Sequence, residues 1–439
     1  MVWELSGDRL TIYEVTSTSC LRGTGYRRAD VGPAGVIYRS DSTIGAVAAD
    51  WLIRPAGSSK RLVAHSPGTA ADVRLTTLSR LPAHCRRPPA ATTEGVFEHF
   101  SRTMAEHYAF FREHGVDWTA ATAEARPRAL AAADARALYE VLSLMVAPLR
   151  DRHTDITATT LGIRHRFGRV LPDSLTLDEV RVLRAAAPSS RTVPVVGRYT
   201  SLHDGRLQFG RLEPGIGYLK VTALYGFHSG GGVGSFEADS VAFAAALDRA
   251  FRELGEVPGL VLDLRINGGG YDALAKLLAG RLSGRRYLGF TKQARNDPAD
   301  PAGYTPPSRV MVEPVGPAPY QGPLAVLLGP NTFSAGEVLA MMLIGRRPRP
   351  KLIGEPTQGI FADELVRRLP NGWRFQLSNE RYAMPNGDVY EGRGVPVDRP
   401  VPVHRPRDRA RGRDPALEAA VSWLGVRVRS RELGIGNWE

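Results

Sequence analysis

Lysine is nearly absent from this chain: Lys60, Lys220, Lys276, Lys292 and Lys351 are the only ones among 57 basic residues, so arginine supplies almost all the positive charge behind a formal net charge of +12. The 45 acidic residues are interleaved with those arginines along the whole length. A nucleic-acid surface would concentrate its cations among aromatics, and this spread argues against that partner. Cysteine is scarcer still. Cys20 and Cys85 are the only two, with no CxxC or Cys/His spacing to suggest zinc, and they are expected to be free thiols. No apolar run approaches the roughly 18 residues of a bilayer-crossing helix. The start, Met1-Val2-Trp3-Glu4-Leu5-Ser6-Gly7-Asp8, lacks a basic segment followed by an apolar one. As written the chain is expected in the cytoplasm, or in a secreted or periplasmic setting if a leader is missing.

What is present can build a full core, since 43% of the residues are apolar, and the length suits two or three domains. Residues 1–90 carry short alternating segments such as Leu10-Thr11-Ile12-Tyr13-Glu14-Val15 and read as a small β module. From Phe97 the period changes. Phe97, Phe100, Met104, His107/Tyr108 and Phe111, and then Leu138, Val141/Leu142, Met145 and Leu149, fall three or four apart, which predicts a helical domain over 91–155. A connecting region, 156–214, holds a predicted helix at 175–187. Residues 215–403 then alternate strand and helix: 216–221, 236–254, 260–264, 271–282, 324–328 and 337–344. That order predicts an α/β fold with a mainly parallel sheet, whose ligands sit at the carboxyl ends of strands. Residues 404–439 read as a basic, solvated linker and a last helix.

Two loops fall at such strand ends. In Asn331-Thr332-Phe333-Ser334-Ala335-Gly336-Glu337 a serine stands between an apolar strand and a helix, where unpaired backbone N–H groups gather. An N-cap serine and a nucleophile both fit that position. Asn267-Gly268-Gly269-Gly270 can turn its N–H groups toward one point, although neither Walker spacing nor G-x-G-x-x-G is present. Among the histidines, His153 lies in Asp151-Arg152-His153-Thr154-Asp155, between acids just past a helix, where a helix cap or a general base is possible.

The segments Leu262-Asp263-Leu264-Arg265-Ile266-Asn267-Gly268-Gly269-Gly270, Thr332-Phe333-Ser334-Ala335-Gly336-Glu337, Gly354-Glu355-Pro356-Thr357-Gln358-Gly359 and Tyr390-Glu391-Gly392-Arg393-Gly394-Val395 together resemble the tail-specific (C-terminal processing) serine peptidase family, in its order and spacing. The resemblance implies a Clp protease/crotonase-like spiral core. No lysine follows Lys351, so the Ser/Lys variant does not fit. The tricorn-core and retinoid-binding-protein-like branch implies a triad of Ser334 as nucleophile, His153 as base and Glu391 as the group orienting the imidazolium. It also implies an oxyanion hole from the N–H groups of Gly269 and Ala335, with Gly268 as a near-equal candidate. Asp263 and Glu337 read as structural. Only 61 residues lie between His153 and Gly215, too few for the PDZ domain that many relatives insert there. The expected activity is a serine endopeptidase acting on peptides or unfolded protein, with no metal or organic cofactor. A non-catalytic binder of apolar ligands such as retinoids, and an esterase, are the alternatives of the same fold. Oligomeric state is not readable.

Overall fold

The computed structural model describes residues 2–432 except 7–8, 16–19, 33–34, 41–50, 58–60, 66–67, 78–81, 83–84, 86–88, 167–174, 189, 229–235, 296–299 and 301–302. The N-terminal alternating segments become β1 (Val2–Ser6), β2 (Arg9–Val15), β3 (Cys20–Gly32), β4 (Gly35–Ser40), β5 (Trp51–Pro55), β6 (Arg61–His65) and β7 (Val73–Thr77), paired in order into a closed barrel. Neighbours run antiparallel until β1 meets β7 in parallel, Val2 opposite Thr76, and closure leaves no open edge. Beyond the barrel Cys85 is disulfide-bonded, contrary to the free thiol expected of it.

Three helices follow: α1 (Thr93–His107), α2 (Trp118–Leu130) and α3 (Ala135–Val146). Each begins at a side-chain cap, with Thr92, Asp117 and Asp134 accepting the N–H groups of Gly95, Ala120 and Ala137. The apolar stripes of α1 and α3 close a core through Phe100, Met104 and Leu142, to which Trp373 and Phe375 contribute from far along the chain. Phe375 belongs to a sheet shared with β8 (Asp155–Ala158) and β9 (Ile163–Arg166), and Trp373 immediately precedes its strand. The segment after His153 is thereby fastened to the C-terminal half of the chain.

The connecting region contains α4 (Leu177–Ala185), β10 (Val195–Leu202) and β11 (Leu207–Leu212). The alternating region then runs β12 (Ile216–Val221), α5 (Phe236–Leu254), β13 (Leu260–Asp263), α6 (Asp272–Arg281), β14 (Tyr287–Ala294), β15 (Ser308–Val312), β16 (Leu324–Leu328), α7 (Ala335–Ile344) and β17 (Lys351–Gly354). After it come β18 (Glu364–Arg368), β19 (Arg374–Ser378), β20 (Glu380–Ala383), β21 (Arg399–Pro400), α8 (Pro406–Ala410) and α9 (Pro415–Glu432). A seven-stranded sheet has the order β10-β11-β12-β13-β16-β17-β21 and is parallel from β12 onward. Its central strands β12, β13 and β16 are buried on both faces, as continuous apolar runs require. Leu219, Leu262 and Val326 face α5, α6 and α7, while Tyr218, Val261 and Leu327 face α9. Helix α7 is buried from Ala335 to Leu343 and, Glu337 apart, apolar all round.

The Arg-rich stretch expected to be a solvated linker is docked instead. Arg405 pairs with Glu355 at 2.9 Å and Arg409 with Glu179 at 2.7 Å. Buried Arg265 joins this stretch to the sheet, reaching Asp263 at 2.6 Å and Asp414 at 2.7 Å. Removing one member leaves uncompensated buried charge. Arg265→Ala is therefore expected to lower the unfolding free energy by about 3–5 kcal/mol in a urea titration.

Candidate active site

The parallel sheet delivers both glycine loop and serine loop to the same end. Asn267 joins them: its Nδ2 donates to Val221 O at 2.9 Å, and its backbone oxygen accepts the Phe333 N–H at 3.1 Å. Thr332 Oγ1 adds a bond to Leu264 O at 2.7 Å. The chain then turns so sharply that Ser334 adopts φ 57° and ψ −133°, a region an L-residue enters only under strain. Gly269 lies directly against it. A Cβ built there would stand 2.6 Å from Ser334 Cβ and 3.1 Å from Ser334 Oγ, so any side chain would collide with the hydroxyl.

A strap of irregular chain, residues 357–363, ties this serine to the helical half. The Ser334 N–H donates to Ile360 O at 2.9 Å, and the His153 ring at Nδ1 lies 2.6 Å from Ala362 O. Since a carbonyl can only accept, Nδ1 carries the proton and Nε2 keeps its lone pair for use as a base. Arg152 stands over the Phe333 ring at 5.3 Å, so the neighbours of His153 and Ser334 touch directly. Ser334 and His153 are thus fastened to carbonyls two residues apart on one strap.

Glu391 arrives there differently from the expectation. Its Oε2 accepts the N–H groups of Phe361 at 2.9 Å and Ala362 at 3.1 Å, so the carboxyl meets the peptide that holds His153 rather than the imidazole. Burial pushes the Glu391 carboxyl well above the usual carboxylate range, with Asp151 adding to the push and the strap N–H groups opposing it. Glu337, expected to serve only the helix start, is the second clamp. It accepts from Thr357 Oγ1, from the Gly359 and Ile360 N–H groups at 2.6 and 2.8 Å, and from the Ser334 N–H at 3.2 Å. Burial raises its carboxyl to about 7, against the pull of those bonds.

Of the oxyanion candidates, Gly268 donates its N–H to Thr222 O at 3.0 Å, which engages it within the fold. The Gly269 N–H goes to Asn267 Oδ1 at 2.9 Å, within the loop itself. The Ala335 N–H meets no acceptor among the described residues. The same is true of Gly270, which the sequence reading did not single out. Lys292 is buried between Asp363 and Glu380, whose charges more than offset the burial that would lower its pKa, so it is held as a cation and not as a base. A cavity of about 580 Å³ adjoins the strap rather than containing Ser334, lined by His114, Asp151, Gln358, Ile360 and Glu391 among others. Among the described residues no cluster of metal-ligating side chains is found.

With this geometry established, two family models fit the chain: peptidase family S41 over residues 215–401, and the tricorn protease C1 domain over 89–147. A candidate peptidase from Parabacteroides merdae ATCC 43184 has a similar structure, with TM-score 0.62 and 23% identity over 76% of this chain and 97% of that one. Mature CPAF is similar with TM-score 0.53 and 12% identity, over 79% and 98%. At such identities the likeness is one of fold. No curated protein sequence matches.

Two measurements test the strap and the turn. In Glu337→Gln the amide cannot accept all four donors, and unfolding free energy should fall by about 2–4 kcal/mol. A carboxyl raised to about 7 stabilises the fold at low pH and loses that contribution as pH rises from the unfolded value to 7. The gap between wild type and the Gln variant should therefore narrow by about 2–3 kcal/mol from pH 5 to pH 8 in urea titrations. Ser334→Gly should be more stable than Ser334→Ala by about 1 kcal/mol, because glycine relieves the positive φ.

Proposed function

We propose that this chain, whose residues 215–401 form a peptidase family S41 domain, is a serine endopeptidase that cuts peptides or unfolded protein through an acyl-enzyme. The observation that carries the reading is the strained Ser334 facing Gly269, with His153 fastened two residues further along the strap that holds Ser334. Ser334 Oγ attacks the scissile carbonyl while His153 Nε2 takes its proton, and the imidazolium then returns that proton to the leaving amine. Water repeats the sequence on the ester. The Ala335 N–H, and Gly269 once Asn267 releases it, serve the developing oxyanion.

Glu391 acts in this reading through the Ala362 peptide. A carboxyl whose pKa is pushed up by burial is a poor permanent counter-ion, but it fixes the carbonyl that sets the tautomer of His153. A Gln oxygen can take the same two N–H groups. Cys85, being disulfide-bonded, favours a secreted or periplasmic setting for this activity.

The decisive experiment is labelling with a fluorophosphonate probe followed by peptide mapping, which identifies an activated serine without a known substrate. Ser334→Ala should abolish the adduct and reduce casein hydrolysis on the order of 10⁴-fold, His153→Ala should cost nearly as much, and the double variant little more. Glu391→Gln should lose less than about tenfold, and Glu391→Ala considerably more. Casein cleavage near the wild-type rate in Ser334→Ala would overturn the assignment.

A further inference from the structure

The connecting region, too short for a PDZ domain, places α4 beside the catalytic loops and fixes it there. Thr176 and Glu179 form a capping box at its start, and Glu179 is held by Arg409. At its other end Lys220 Nζ donates to Leu183 O at 2.6 Å and Ala186 O at 2.8 Å, while Gln208 donates to Arg184 O. Anchored in this way, Arg184 has little freedom of backbone position.

The Arg184 guanidinium borders the glycine loop. A Cβ at Gly268 would lie 3.8 Å from Arg184 Nη2 and equally 3.8 Å from Phe333 Cζ, and Gly268 and Phe333 are the chain neighbours of Gly269 and Ser334. Arg152 reaches the same Phe333 ring. Arg265, Arg405, Arg409 and Arg413, on the other side of α4, all meet carboxylates. Among the described residues the Arg184 guanidinium meets neither a carboxylate nor any other acceptor, and its Nε is buried without one. Lys220, close enough to feel its charge, is bonded to carbonyl oxygens and adds to the positive field.

A partly desolvated guanidinium with an open fork selects a carboxylate, which it can bind through two parallel bonds. We propose that Arg184 recognises a carboxylate of the bound peptide next to the scissile bond, supplied by an acidic side chain or by the free C-terminus. The proposal rests on the peptidase reading of Ser334, and concerns which peptides enter rather than how they are cut.

The test separates the two. Fluorescein-labelled decapeptide pools, random except for one fixed Asp or Asn and ending in a carboxylate or an amide, are titrated by anisotropy onto Ser334→Ala, which binds without turnover. Carboxylate-bearing pools should bind about tenfold or more tightly than their neutral counterparts. In the Ser334→Ala/Arg184→Gln variant that preference should vanish while the neutral pool binds within about twofold of before, and Arg184→Lys should restore only part of it. The Asp/Asn pair and the acid/amide pair show which carboxylate is read. Equal binding of acid and neutral pools, absence of saturable binding, or an Arg184→Gln variant that weakens both pools alike would each overturn the proposal. Fluorophosphonate labelling of the otherwise wild-type protein reports independently on Ser334.

Discussion

Two buried carboxylates hold one stretch of irregular backbone, and the site depends on that hold. Four successive N–H groups of the strap are taken in pairs, Gly359 and Ile360 by Glu337, Phe361 and Ala362 by Glu391. Backbone without a ladder partner cannot be left unbonded in an interior, and a carboxylate is the side chain that offers only acceptors. The carbonyls freed by this arrangement, Ile360 and Ala362, receive Ser334 and His153. Ser334 and His153 thus share a spacing set by two residues of the strap, although they are far apart in sequence.

That hold has an electrostatic consequence. Asp151 and Glu337 lie close enough to Glu391 to raise its protonation beyond what burial does, while at Glu337 burial alone raises it. The strap tolerates this because each carboxyl is matched to donors rather than to a cation, so neutralising one weakens its bonds without stranding an opposite charge. The late loop supplies the position of Glu391. Gly392 and Gly394 both have positive φ, and a Cβ on Gly394 would come 2.1 Å from Thr357 O, so the loop closes against the strap only with glycine there.

The parts of this architecture readable from sequence were those that depend on apolar patterning. Strands β12 and β16 and helix α5 begin and end where their runs do, and α7 differs from its expected start by two residues. Helix α2 escaped because its Ala-rich, Arg-bearing sequence has almost no amphipathic stripe and contains Pro127. Strands β14, β15 and β18 to β20 carry polar residues among their apolar ones, and β14 with β20 and β19 with β8 pair across long stretches of chain. The site divides in the same way. Ser334 and His153 were legible through motif and context, but the clamping by Glu337 and the indirect attachment of Glu391 were not. Both consist of side-chain bonds to backbone groups, and such bonds leave no periodicity in the chain.

Arginine's dominance over lysine makes sense in this setting. Arg265 spans Asp263 and Asp414 with separate nitrogens of one planar group, and Arg346 reaches the carbonyl oxygens of Leu282, Tyr320, Gly322 and Pro348 from a fully buried position. An ammonium offers three donors from one point and could not bridge such separated acceptors. The two lysines drawn into the core are held in simpler ways, Lys220 by two carbonyls and Lys292 by two carboxylates. Arg184 differs from Arg265 and Arg346 in that its guanidinium meets no acceptor among the described residues. It lies beside the loop where Gly268, Phe333 and Ser334 converge, which is where the proposed carboxylate of a bound peptide would reach it.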